Sequence, residues 1–197
     1  MIGLDWGTTS LRAYRLDQAG AVLEKRESKA GILSVKPGGF PDELRNIGGD
    51  WLEAGETLVV IAGMAGSKQG WAEAPYLPCP ASVAEVARAT LPVPFPAARV
   101  RLVPGLKARD ANGVPEVMRG EETQIAGFQR LNPKWDGVIC LPGTHTKWVQ
   151  MSAGEIVSFQ TFMTGEIFAL LSTSSVLRHS VSGETWEDDA FLTAVDE

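Results

Sequence analysis

The chain has 197 residues, enough for one substantial core or two modest lobes, and its 44% apolar content is that of an ordinary globular protein. With 18 basic against 24 acidic residues the net charge is −6 and no basic run stands out, which argues against DNA or another polyanion as partner. The opening MIGLDWGTT lacks the features of a signal peptide and no apolar run reaches membrane-span length; Cys79 and Cys140 stand far apart, and His145 and His179 show no metal-ligand spacing. A cytoplasmic protein without a disulfide framework or membrane contact is expected.

The first elements predict a three-stranded meander: MIGLDWG, then the alternating SLRAYRLD, a turn at Gln18, Ala19 and Gly20, and AVLEKRES. Residues 28–49 carry Gly31, Pro37, Gly38, Gly39, Pro41, Gly48 and Gly49, the texture of a loop-rich insert around a short helix at PDELRNIG. GETLVVIAGMAG predicts a buried strand that empties into the polar segment SKQGWAEAPYLPCPAS. SVAEVARATL, capped by Ser82, and RVRLVPG form an αβ unit. VMRGEETQIAGFQRL predicts a helix with Glu121 and Glu122 in its first turn and Ile125, Ala126 and Phe128 on its buried side. GVICLPGTHTKWVQMSAGEIVSFQTF predicts a second meander, followed by a helix at GEIFALLSTSSVLRHS and an acidic helical end, GETWEDDAFLTAVDE.

Both meanders turn on glycine and threonine, DWGTTS in one and PGTHTK in the other, and this order of elements suggests a duplicated architecture. Such turns suit phosphate: glycine lets the backbone approach an anion, successive amides and hydroxyls donate, and a nearby carboxylate can hold Mg²⁺. Asp5 is then the metal-side acid, Gly7, Thr8, Thr9 and Ser10 the cradle, and Arg12 a cation facing the site. Gly143, Thr144, His145, Thr146 and Lys147 offer the same chemistry in the second turn. The alternative in both cases is a plain hairpin whose hydroxyls satisfy the backbone. Walker A and GxGxxG patterns are absent, so any nucleotide binds by another route.

These hairpins resemble the phosphate-1 and phosphate-2 motifs of the sugar kinase, Hsp70 and actin superfamily. More closely, LDWGTTSLRAYRLD, GMAGSKQGWAEAPYLPCPAS, VMRGEETQIAGF and LPGTHTKWV resemble, in unbroken order from Gly3 to about Leu171, the 2-dehydro-3-deoxygalactonokinases. The resemblance implies an α/β fold with a ribonuclease-H-like (actin-like ATPase) lobe over residues 1–136. The start of a second, similar lobe is expected over 137–197, ending before the portion that binds adenosine. An incomplete second lobe would weaken activity and leave an exposed oligomerisation surface.

The implied reaction is ATP- and Mg²⁺-dependent phosphorylation of 2-keto-3-deoxy-D-galactonate at its 6-hydroxyl. GEETQIAGF is similar to the glycerol-kinase segment whose aspartate is the general base, so Glu121 inherits that role by position, with Glu122 as competitor because glutamate reaches further. Ser67, Lys68 and Gln69 fall where related kinases bind their polyol, with Arg12 or Lys68 available to the sugar acid's carboxylate or keto group. Trp71 is read as either core or sugar platform. The competing readings are a non-catalytic ATP- or phosphate-binding module and an α/β domain whose hairpins are structural only.

Overall fold

The computed structural model describes residues 1–110, 112–181 and 187–196, and these form a mixed α/β fold. They divide into one compact unit of residues 1–141 and 147–161 and another of residues 142–146 and 162–197.

In the first unit the meander forms as expected from β1 (Ile2–Trp6), β2 (Leu11–Leu16) and β3 (Val22–Ser28). Alternation on β1 buries Ile2, Leu4 and Trp6 on one sheet face and turns Gly3 and Asp5 to the other. The insert holds a longer helix than its glycines suggest: α1 runs Phe40–Glu53, with Pro41 in its first turn and a non-helical Gly48 at a kink. The correction has a packing cause. Phe40, Leu44, Ile47 and Trp51 cover the Ile2–Leu4–Trp6 face, and a side chain at Gly48 would stand 3.4 Å from the Trp51 ring, so the glycine lets the indole lie close without ending the helix.

β4 (Leu58–Gly63) pairs parallel to β1, with Trp6 opposite Gly63. The polar segment after it is more structured than expected: it contains β5 (Tyr76–Pro78) and β6 (Ala81–Ser82). The predicted αβ unit is α2 (Val83–Arg88), where Ser82 and Glu85 form a reciprocal capping box, then β7 (Leu91–Val93) and β8 (Arg99–Leu102). Strands β9 (Gly105–Arg109) and β10 (Pro115–Met118) form a further hairpin before α3 (Glu121–Leu131). Only Ile125 and Glu122 of α3 are fully buried; Ala126 and Phe128 are half-buried, the latter edge-on to Trp135 at 5.4 Å.

The main sheet has the order β3-β2-β1-β4-β8-β7, with β1, β4 and β8 parallel. Their carboxyl ends therefore leave the sheet along one edge, where ligands of open α/β sheets generally bind. The second meander is β11 (Gly137–Leu141), β12 (Thr146–Ser152) and β13 (Glu155–Phe162), which continues onto β6 in a four-stranded sheet. The second unit carries the turn at residues 142–146, then α4 (Thr164–Ser174), a short 3₁₀ helix (Val176–His179) and α5 (Asp188–Asp196). Ser182 and part of the acidic end, residues 183–186 and Glu197, lie outside the described residues.

Candidate active site

The turn after β1 is closed by Gly7 N–H donating to the Ser10 carbonyl at 2.9 Å. Two more of its carbonyls are tied down: Ile32 N–H donates to Gly7 O and Leu33 N–H to Thr8 O, at 3.0 and 3.2 Å. The amides of Thr8, Thr9 and Ser10 have no acceptor among the described residues, so the turn presents a row of donors. Gly31 makes this possible, because a Cβ there would lie 2.3 Å from the Thr9 carbonyl carbon. Asp5 accepts from Arg12 at 3.1 Å, and Arg12 also reaches Glu27 at 3.2 Å. With 44% and 42% of the Arg12 and Asp5 side chains exposed, this pair is weak enough to open for a ligand. Asp5, Arg12, Tyr14, Lys25, Gly120 and Thr123 belong to the lining of one cleft of about 560 Å³.

The loop after β4 starts at Gly63, whose φ of 89° and ψ of −152° suit only glycine, and whose added Cβ would sit 2.7 Å from the Trp6 carbonyl. It then tightens: Trp71 N–H donates to Ala65 O at 2.7 Å and Gly70 N–H to Ser67 O at 2.9 Å. Ser67 is only 7% exposed and its hydroxyl has no partner among the described residues, whereas Lys68 and Gln69 are exposed. Trp71 is half-buried and packs between Phe40 and Phe95, with ring centroids 6.2 and 6.3 Å away, against the edge of the core.

At the start of α3 both acids turn back onto the helix end. Glu121 accepts from the Arg119 amide at 3.1 Å, and Glu122 from the Gly120 amide at 2.7 Å, which satisfies amide donors beside the helix start. Glu122 is 1% exposed and borders an apolar cavity of about 280 Å³ with Val83 and Val86; burial pushes its carboxyl up to about 7. Glu121 is only partly buried.

Lys147 is 5% exposed and turns into the protein. Its ammonium donates to Val117 O at 2.8 Å and to the Thr161 hydroxyl at 2.7 Å, and Thr161 in turn donates to Glu116 at 2.5 Å. Burial pulls this ammonium below its ordinary value, partly opposed by the charges of Glu121 and Glu116. In this structure the ammonium is held by groups of the neighbouring strands.

In the second unit, the turn that carries Gly143 and Thr144 meets the start of α4. Glu166 N–H donates to Thr144 O at 3.0 Å, His145 bonds Glu166 at 2.5 Å, and the Thr146 and Thr164 hydroxyls are 2.5 Å apart. Gly165 permits the approach, since a Cβ there would lie 2.4 Å from Gly143 O.

Comparison with known proteins decides the family, because a model described as 2-keto-3-deoxy-galactonokinase matches residues 5–197. The chain belongs to that family. Among galactonokinase relatives, a protein named a probable 2-dehydro-3-deoxygalactonokinase in Rhizobium meliloti (strain 1021) is 38% identical over 179 residues, covering 91% of this chain and 58% of its own. The 2-dehydro-3-deoxygalactonokinase of Escherichia coli (strain K12) is 38% identical over 196 residues, covering 99% of this chain and 64% of its own. A crystal structure from Sinorhizobium meliloti with the same assignment superposes with a TM-score of 0.88 at 37% identity, over 99% of this chain and 65% of that one. The chain thus spans less than two thirds of the length of these galactonokinase relatives.

Of the residues expected from sequence, Asp5, Gly7 to Ser10, Arg12, Ser67 and Glu121 belong to elements that leave or face the same edge of the first unit's sheet. Residues that sequence reasoning passes over are Glu116 and Thr161, which hold Lys147, and Arg119, visible only as the basic residue before GEE. Among the described residues no group of three or more His, Cys, Asp and Glu could hold a metal, and no helix is long and apolar enough to cross a membrane.

Proposed function

We propose that this chain carries the sugar-acid site and phosphate-binding turns of an ATP-dependent, cytoplasmic 2-dehydro-3-deoxygalactonokinase. The observation that carries the reading is the meeting of three elements: the turn after β1, the loop after β4 and the acid-bearing start of α3. Gly63 lies against Trp6 and within van der Waals reach of Gly120. Strand order β3-β2-β1-β4-β8 supports a ribonuclease-H-like lobe, for which we keep residues 1–136, with 137–197 assigned to a second one.

In this reading the free amides of Thr8, Thr9 and Ser10 hold phosphate oxygens of ATP, and Gly143, Thr144, His145 and Thr146 form the second phosphate turn. Mg²⁺ fits as an ion brought in with the nucleotide: one carboxylate, Asp5, together with phosphate oxygens and water meets its needs, and the ion would neutralise phosphate charge. Ser67, Lys68 and Gln69 hydrogen-bond the sugar acid, with Arg12 or Lys68 toward its carboxylate.

Glu121 is the base. It accepts the proton of the 6-hydroxyl as that oxygen bonds the γ-phosphorus and the bond from the γ-phosphorus to the ADP oxygen breaks. Burial raises the Glu122 carboxyl to about 7 but also removes its reach, since its carboxylate faces the Gly120 amide and an apolar cavity. Formation of the sugar-acid 6-phosphate from ATP, compared between the unaltered chain, Glu121→Gln and Glu122→Gln, tests this assignment.

A further inference from the structure

Arg119 is 9% exposed and no carboxylate pairs with its guanidinium among the described residues. A buried cation without a counter-charge is costly, so the groups that replace the charge partner are informative. One terminal nitrogen donates to Ala74 O at 2.8 Å; longer contacts of 3.4 Å run to Val103 O and the Tyr76 hydroxyl, and the guanidinium lies 4.3 Å from the Tyr76 ring centroid. Gly66 packs against the same group, since a Cβ there would stand 2.8 Å from the arginine.

Gly66 and Ala74 are the two sides of one neck. Ala74 N–H donates to Gly66 O at 2.9 Å and closes the loop that carries Ser67, Lys68 and Gln69. Arg119 therefore grips both sides of that neck with its side chain while its own amide donates to Glu121. A planar guanidinium fork suits this position because it spans acceptors on separate segments in fixed geometry, which a lysine cannot do.

We propose that Arg119 is a positioning residue that sets the distance between the sugar-acid loop and Glu121, an inference that rests on the kinase reading of this site. Buried beneath the loop, it acts through Ala74, Gly66 and Glu121. Its loss leaves the loop and the base each formed but no longer in register.

The test uses the 197-residue chain, with Arg119→Ala and Arg119→Lys, and has two readouts. By amide hydrogen exchange, Arg119→Ala should speed exchange at Gly70, Trp71 and Ala74 while β1 and β4 stay protected, and guanidinium ion below denaturing concentration should restore protection. By calorimetry, Arg119→Ala should weaken 2-keto-3-deoxy-D-galactonate binding by about tenfold to a hundredfold, with Arg119→Lys between, while MgATP binding changes little. Uniformly faster exchange, or an unchanged sugar-acid affinity where the unaltered chain binds it, overturns the proposal. Absence of sugar-acid binding by the unaltered chain contradicts the kinase reading itself, and the exchange pattern then still decides whether Arg119 couples loop and helix.

Discussion

Gly63 and Gly120 lie back to back: both have positive φ, 89° and 110°, and a Cβ on Gly120 would stand 3.5 Å from the Gly63 Cα. One ends the strand that feeds the loop of Ser67, Lys68 and Gln69, and the other precedes the helix that carries the acids. The two backbones pack at ordinary van der Waals distance, and it is the positive φ at each residue that calls for glycine.

Their substitution should separate two kinds of cost. Gly63→Ala meets the Trp6 carbonyl at 2.7 Å in a glycine-only conformation, and at least about 2 kcal/mol of stability should be lost in urea unfolding. Gly120→Ala has room, so its cost should be confined to φ, about 1 kcal/mol. Equal losses would contradict the contact between β4 and the end of β1.

Gly31→Ala tests the proposed phosphate role of the turn after β1 without altering its own residues. The new methyl would overlap Thr8 and Thr9 backbone atoms at 2.3 to 2.4 Å, so the turn must move. The stabilisation of the folded chain by MgATP, read as a melting shift, should fall to near zero while the far-ultraviolet circular dichroism is kept. A preserved shift would place nucleotide binding elsewhere.

Much of this is legible in the sequence, for physical reasons. Strict alternation at Ile2, Leu4 and Trp6, and the Ser82–Glu85 capping pattern, are local signals, and both meanders form where the sequence predicts them. Helix α1 reads too short from sequence because Gly48 and Gly49 count as breakers until the Trp51 ring that needs the space is known. The direction of Lys147 is illegible for a similar reason: its acceptors, Val117 O and Thr161, lie 30 and 14 residues away. Arg119 gives no signal because its acceptors are mostly main-chain carbonyls, which any sequence can supply.

Glu122 predicts a pH dependence. Its carboxyl is raised by burial from the ordinary 4.5 to about 7, so the folded chain binds the proton more tightly than the unfolded chain. Its contribution to stability is fully present below about 4.5 and is lost as pH rises through about 7, a difference of roughly 3 kcal/mol at most. Glu122→Gln stays neutral and keeps an oxygen for the Gly120 amide. Thermal melts from pH 5 to 8 should therefore show a flatter profile for the variant and greater stability than the unaltered chain at about pH 8.

Lys147→Met should cost stability, about 1–3 kcal/mol, by leaving the Val117 carbonyl and the Thr161–Glu116 pair without their donor. The MgATP melting shift should survive. Loss of that shift with stability unchanged would restore the lysine to the phosphate site.

The central claim is that Glu121 takes the proton from a sugar-acid hydroxyl. Single-turnover transfer from ATP to 2-keto-3-deoxy-D-galactonate, with enzyme in excess and the 6-phosphate quantified by mass spectrometry, tests it most directly. The account predicts product with the unaltered chain, a rate lower by about a hundredfold or more in Glu121→Gln, and a loss within about tenfold in Glu122→Gln. Equal rates for the unaltered chain and Glu121→Gln, or ADP release that ignores the sugar acid, would contradict it.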